Sequence, residues 1–133
     1  MITVKTKLQK SKVHGIGLFA DQFIPKGTVT WRYSPKYDQS FSKEEVSEMN
    51  EITLQQFFKY AYWDATQKKF ILCFDDQRFV NHSKEYANVE STPEQDIAIR
   101  DIQPDEEILC DYSKFDPTYF DRIGLELEKK IRI

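Results

Sequence analysis

The strongest soft ligands and nucleophiles in the chain are two cysteines, Cys73 and Cys110, and two histidines, His14 and His82. No two of them stand at the close spacing of a zinc site, so a bound metal is not expected. The cysteines lie far apart in a mostly polar chain whose start has no secretory signal, and they read as reduced thiols in a cytoplasmic protein. Gly15-Ile16-Gly17 lacks the third glycine and the long following helix of a dinucleotide fingerprint. What remains is a turn whose bare backbone lets a ligand approach closely, or simply a turn. Asn81-His82-Ser83 follows the apolar pair Phe79-Val80. Asn carries both donors and an acceptor, which suits the amino and carboxylate ends of an amino-acid-like ligand; an ordinary polar turn needs the same residues. Glu106-Glu107-Ile108-Leu109-Cys110-Asp111-Tyr112 is by itself a strand after a charged turn, ending on a phenol.

These residues need elements to hold them. Thr3–Leu8 alternates weakly and predicts an opening strand; Leu18-Phe19-Ala20 and Thr28–Trp31 predict two more, separated by a turn at Pro25-Lys26-Gly27. Ser42-Lys43-Glu44-Glu45 is a capping box and starts a short helix to about Asn50. Thr53 caps a second, with Leu54, Phe57 and Phe58 facing inward. Lys59–Asp64 and Lys69–Phe74 read as a hairpin across Ala65–Lys68. Asp75–Ser83 has no clean period, whereas Ile97–Ile102 and Ile108–Tyr112 are strand-like around a turn at Gln103-Pro104-Asp105. Asp116-Pro117 opens a closing helix in which Phe120, Ile123 and Leu127 recur at helical spacing. The fold class is mainly β with short helices.

A length of 133 residues, 40% of them hydrophobic and 14% aromatic, is one domain's worth and supplies both a core and an aromatic-lined pocket. A net charge of -3 argues against direct nucleic-acid binding, which calls for a basic face. No apolar run reaches membrane-spanning length.

Taken singly the three motifs are weak; their order is specific. The phrase Ser11-Lys12-Val13-His14-Gly15-Ile16-Gly17-Leu18-Phe19-Ala20 comes early, with Ile24-Pro25-Lys26-Gly27 after it. Arg78-Phe79-Val80-Asn81-His82-Ser83 stands in the second half, and Glu-Glu-Ile-x-x-Asp-Tyr about thirty residues later. Together they resemble the SET-domain protein-lysine methyltransferases over about Val4 to Tyr112. The resemblance implies a β-clip fold of small sheets with a threaded, pseudoknotted carboxy-terminal segment, an exception to the usual rule against threading. It implies one SET domain over residues 1–133, with a core at about 4–112 and a helical segment at 113–133.

The same resemblance implies S-adenosyl-L-methionine as cofactor and a lysine-containing protein or peptide as substrate. Gly15, Ile16 and Gly17 would pass under the cofactor, and Asn81 and His82 would hold its methionine and adenine parts. Tyr112 would be the catalytic tyrosine, where the cofactor pocket meets a narrow lysine channel. Relatives often carry Phe or Tyr two residues before that tyrosine. Cys110 stands there instead: either it lines the channel, or it is a buried core residue and Tyr86 or Phe115 fills the channel in its place. Many relatives continue Asn-His-Ser with Cys-x-Pro-Asn and add a cysteine-rich zinc module; here Lys84–Asn88 follows and no cysteine comes after Cys110. The closing helix, through Phe115, Tyr119 or Phe120, would wall the channel in its place, or pack as plain core. The compact form resembles the short stand-alone SET proteins of bacteria and large viruses, with a homodimer left open. A second reading is a module of the same fold that binds cofactor or partners without turnover; methyl transfer separates the two.

Overall fold

A computed structural model describes residues 1–123 of the chain. Among these residues the backbone forms ten short strands, three short α-helices and two 3₁₀ turns, so the architecture is mainly β. The strands are β1 Thr6–Lys10, β2 Ile16–Ala20, β3 Val29–Arg32, β4 Gln39–Phe41, β5 Tyr62–Asp64, β6 Lys69–Leu72, β7 Asn81–His82, β8 Val89–Ser91, β9 Gln95–Ala98 and β10 Leu109–Cys110. They make four small sheets: β1-β2, β4-β6-β5, β3-β9-β8, and the parallel pair β7-β10. That last pair is two residues long and sets Leu109 against Asn81 and Cys110 against His82. It joins the second and third motifs side by side.

Local chemistry explains most of the elements. At the turn before β3, Thr28 N–H donates to Pro25 O, and Gly27 takes φ +90°, a left-handed position that favours glycine. Helix α1 (Lys43–Ser47) begins on the expected capping box, with Ser42 Oγ accepting from Glu45 N–H and Glu45 reaching back to Ser42 N–H. Helix α2 (Glu51–Tyr60) begins three residues before the expected start. Asn50, not Thr53, is its cap: Asn50 Oδ1 accepts from Thr53 N–H at 2.8 Å. Asn is a cap at least as good as Thr and gains the helix most of a turn. The helix also runs on through Lys59 and Tyr60, so the hairpin is confined to β5 and β6, antiparallel across 65–68. The expected strand at Ile97–Ile102 lies earlier, at β9, because its register is set by β3 and β8 on either side.

Three apolar clusters form the core. Leu18, Ile24, Val89, Ala98, Ile102 and Ile108 fill the space between β2, β8 and β9. Trp31, Tyr62, Ile71 and Cys73 make a second cluster, and Val46, Phe57, Ala61 and Phe70 a third under α1 and α2. Both cysteines are buried and unjoined. Helix α3 (Tyr119–Ile123) starts later than Asp116-Pro117 predicts. Asp116 is fully buried and its carboxylate is spent on other work: it accepts from Trp63 N–H at 2.9 Å and from Arg122 at 2.6 Å. Arg122 in turn lies over the rings of Phe58, Phe70 and Tyr119. This pins α3 to α2 and β5 beside the site. Leu127 and the rest of the expected helix, residues 124–133, lie outside the described residues.

Candidate active site

The first motif folds into a turn closed by Ser11 N–H donating to Gly15 O at 2.7 Å. Ser11 Oγ accepts from Val13 and His14 N–H and donates to the Glu107 carboxylate at 2.8 Å. Asn81 Nδ2 donates to His14 O at 2.9 Å, Ile16 O at 3.3 Å and Glu107 Oε2 at 3.0 Å. Glu107 and Asn81 therefore tie all three motifs into one network. Gly17 is required there for space: a Cβ on it would collide with the Glu107 carboxylate, 2.9 Å from Cδ. Glu107 carried no assigned role in the sequence, although it stands inside the third motif. Asn88, fully buried, braces the same strand by donating to Glu107 O and accepting from Leu109 N–H.

Tyr112 follows β10 on a 3₁₀ turn (Tyr112–Lys114) capped by Asp111, whose Oδ1 accepts from Ser113 N–H at 3.0 Å. Burial pushes the Asp111 carboxyl up, but the Ser113 hydrogen bonds, then His82 and Lys114, outweigh it and hold it below its ordinary value. Tyr112 N–H donates to His82 Nδ1 at 3.0 Å. The Tyr112 hydroxyl donates to Val80 O at 2.5 Å. Burial pushes the Tyr112 phenol well above its ordinary value, with the neighbouring acids and Tyr119 adding to it. The group is a neutral phenol whose proton is already placed, with its oxygen lone pairs left to accept.

Two cavities meet at this phenol. The larger, about 260 Å³, is walled by His14, Gly15 and Ile16 of the first motif, by Phe79 and Asn81, and by Tyr112. That is near the lower end, about 300 Å³, of the sizes small-molecule sites occupy. Gly15 sits there with φ +50° and open space where a Cβ would be, so bare backbone faces the cavity. The smaller, about 60 Å³, is narrow enough to suit an alkyl chain; its walls include Trp31, Tyr62, Cys110, Phe115 and Asp96. Tyr60, Lys59, Arg78, Tyr112 and Tyr119 line both.

Of the residues singled out in the sequence, Gly15, Ile16, Asn81 and Tyr112 line the larger cavity, and Cys110, Phe115 and Tyr112 the smaller. Gly17 and His82 stand behind these walls. His82 is buried with its ring 5.0 Å from Phe120 and 5.2 Å from Tyr112. Tyr86 does not join them: the turn at 83–87, where Tyr86 N–H donates to Ser83 Oγ, carries its ring outward to 65% exposure. Tyr119 does wall the site, its ring 4.8 Å from Tyr112 and its hydroxyl donating to Lys59 O. Tyr60 and Asp96 carry no assignment in the sequence, since only long-range pairing brings them here; Arg78 opens the second motif, near Asn81, and lines both cavities.

A family model described as the SET domain matches residues 15–113. The chain belongs to the SET-domain family, a family of methyltransferases. The SET fold recurs in solved structures. A Plasmodium falciparum protein described as a candidate histone methyltransferase is 22% identical with a TM-score of 0.61, covering 84% of this chain and 95% of its own. Chaetomium thermophilum Polycomb repressive complex 2 bound to S-adenosylmethionine is 21% identical with a TM-score of 0.64, covering 96% of this chain but 17% of its own. An apo form of the same complex gives a TM-score of 0.68 at 21% identity, covering 90% of this chain and 16% of its own. This chain thus spans nearly all of the first protein and a small part of the second. No curated protein sequence matches it.

Proposed function

We propose that this SET-domain chain transfers a methyl group from S-adenosylmethionine to the side-chain amine of a lysine in a protein. The observation that carries the reading is the double placement of Tyr112, in the walls of both a ligand-sized and an alkyl-sized cavity. The donor set suits an amino-acid-like nucleoside ligand: bare backbone at Gly15, the polar Asn81 and aromatic rings, with no metal ligands required. When bound, S-adenosylmethionine supplies a methyl group already activated by a positively charged sulfur.

The protein's own contribution is position and dryness. The aromatic walls at Tyr60, Tyr62, Phe115 and Tyr119 hold an alkyl chain in one direction, toward Tyr112. A lysine amine has an ordinary pKa of about 10.4 and must shed a proton before its lone pair is usable. Desolvation in such walls disfavours the charged form. Tyr112 is a poor base, because burial keeps its hydroxyl protonated. It acts instead as a fixed acceptor: with its own proton on Val80 O, the phenolic oxygen can take an N–H of the amine and orient it.

The test is to incubate the purified chain with methyl-labelled S-adenosylmethionine and a proteome extract. Protein-bound label that is lost with Tyr112→Phe supports the reading. Tight cofactor binding with no label in any protein would make it a binding module.

A further inference from the structure

Strand β9 alternates inward and outward, and one of its two inward positions is an acid, Asp96, 2% exposed. A carboxylate at a core position is costly and rarely tolerated without a task. Its place in the sheet is defined by register. Asp96 lies opposite Trp31 of β3 on one side and Ser91 of β8 on the other, so the three side chains form one row on one face. All three line the smaller cavity, where Asp96 is the sole carboxylate among the described lining residues. Gln77 donates to its Oδ2 at 2.6 Å and Ser91 also hydrogen-bonds it. Beside it, Trp31 Nε1 is buried with no partner among the described residues. Both an acceptor and an unused donor therefore stand in a cavity that the rings of Tyr60, Tyr62, Tyr112, Phe115 and Tyr119 also line, together with the polar Lys59, Gln77 and Arg78.

We propose that Asp96 takes the proton from the lysine ammonium as it enters, leaving the neutral amine that Tyr112 orients. This rests on the methyltransferase reading and supplies the step that reading leaves open. The N–H bond of the ammonium breaks, its electron pair stays on nitrogen, and the proton binds a carboxylate oxygen. A cation and an anion become two neutral groups. In water the transfer would run the other way, since the amine is far more basic. In a dry channel two buried charges cost more than two neutral groups, which favours the transfer. The acid gives its proton back to water when the product leaves.

Among the described residues that line the smaller cavity, Asp96 is alone in this role; Glu107, the other acid acting on Tyr112, is held by Ser11 and Asn81 outside it. Burial pushes its carboxyl up to about 6, while the Ser91 and Gln77 hydrogen bonds hold it lower than burial alone would. Tyr62, Cys73, Cys110, Tyr112 and Tyr119 are all pushed up by burial and stay neutral. The Asp96 charge is among the lesser causes for Cys73, Cys110 and Tyr112, which places it within reach of them. The cations that line the cavity are engaged: Arg78 donates to Cys73 O at 2.6 Å, and Lys59 Nζ lies over the Tyr60 ring. His82 stands behind Tyr112, accepting from its N–H.

The test has two arms. In the first, protein labelled with ¹³C at aspartate carboxyls is titrated with n-butylamine, a mimic of the lysine side chain, near pH 8. The Asp96 signal is assigned by its loss in Asp96→Asn. The proposal expects that signal to move from the carboxylate to the carboxylic-acid position as butylamine binds. A carboxylate shift unchanged by saturating butylamine would overturn it, whether or not any methyl acceptor has been found. In the second arm, Asp96→Asn should keep its affinity for S-adenosylmethionine yet lose about 10²-fold in transfer at neutral pH, the size of one general base. Its rate should then rise with pH well past the point where the wild-type rate levels off. Equal rates with the same pH profile in both proteins would overturn the proposal. Absence of transfer by the wild type would instead strike the methyltransferase reading, leaving the butylamine arm to decide on Asp96.

Discussion

Replacing Asp96 by Asn should make the protein more stable, and by an amount that depends on pH. The carboxyl is raised from its ordinary 3.8 to about 6, chiefly by burial. The folded protein therefore holds this proton more tightly than the unfolded chain. Between pH 3.8 and 6 the folded state binds more protons than the unfolded one, so stability falls as pH rises through that window. Above it the full penalty of the buried charge is present. Roughly two pK units correspond to about 3 kcal/mol, a sizeable share of a small domain's stability. Asn keeps the shape and an oxygen to accept from Ser91 and Gln77, and it carries no charge. Urea unfolding of both proteins at pH 8 and at pH 4 measures the effect, with equal slopes showing that the same surface unfolds. The variant should lead by about 3 kcal/mol at pH 8, and the gap should shrink toward zero at pH 4. A gap that is the same at both pH values, or a variant less stable at pH 8, would refute the reasoning. A change that stabilises the fold and also slows methyl transfer is what a functional site built against stability should give.

Tyr112→Phe should lower methyl transfer by at least about 10²-fold in a labelled-transfer assay, with a smaller change in cofactor affinity by calorimetry; an unaltered rate would remove the hydroxyl from the mechanism. Asn81→Ala removes a donor from His14 O, Ile16 O and the Glu107 carboxylate, which keeps only Ser11 Oγ, so cofactor affinity should fall about tenfold or more. If affinity holds while the melting temperature collapses, Asn81 is only a brace for the turn. Cys110 is small and lines the alkyl-sized cavity, so dimethyl or trimethyl products should accumulate at long times, read by mass spectrometry. Cys110→Tyr should shift the product toward monomethyl at a packing cost of about 1–3 kcal/mol, and identical product distributions would show that Cys110 does not set the product state.

What the sequence showed and what it hid divide along the range of the interactions. The Ser42–Glu45 capping box and the glycine turn at Pro25-Lys26-Gly27 are local, and both form as read. Asn50 was overlooked as a cap because Thr53 begins a plausible signal three residues on; the two compete, and the earlier one wins. The motif residues Gly15, Asn81 and Tyr112 were legible through their resemblance to a family, and the structure brings them together. Their physical partner Glu107 was not, because nothing in one sequence says that its carboxylate fills the space a Cβ on Gly17 would need. Tyr86 is an aromatic that could have filled the pocket in place of Cys110, but the turn at 83–87 carries its side chain outward. Asp96 was hidden most completely. Only its pairing with Trp31, 65 positions away, turns it inward.

The central claim is that a lysine amine meets an activated methyl group at Tyr112. Its most direct test is site-resolved mass spectrometry of the protein labelled when the purified chain acts on a proteome extract with methyl-labelled S-adenosylmethionine. The label should sit on the side-chain nitrogen of lysine, and should be lost with Tyr112→Phe while that variant still binds the cofactor. Label on any other residue type, or undiminished lysine label from the variant, would contradict the account.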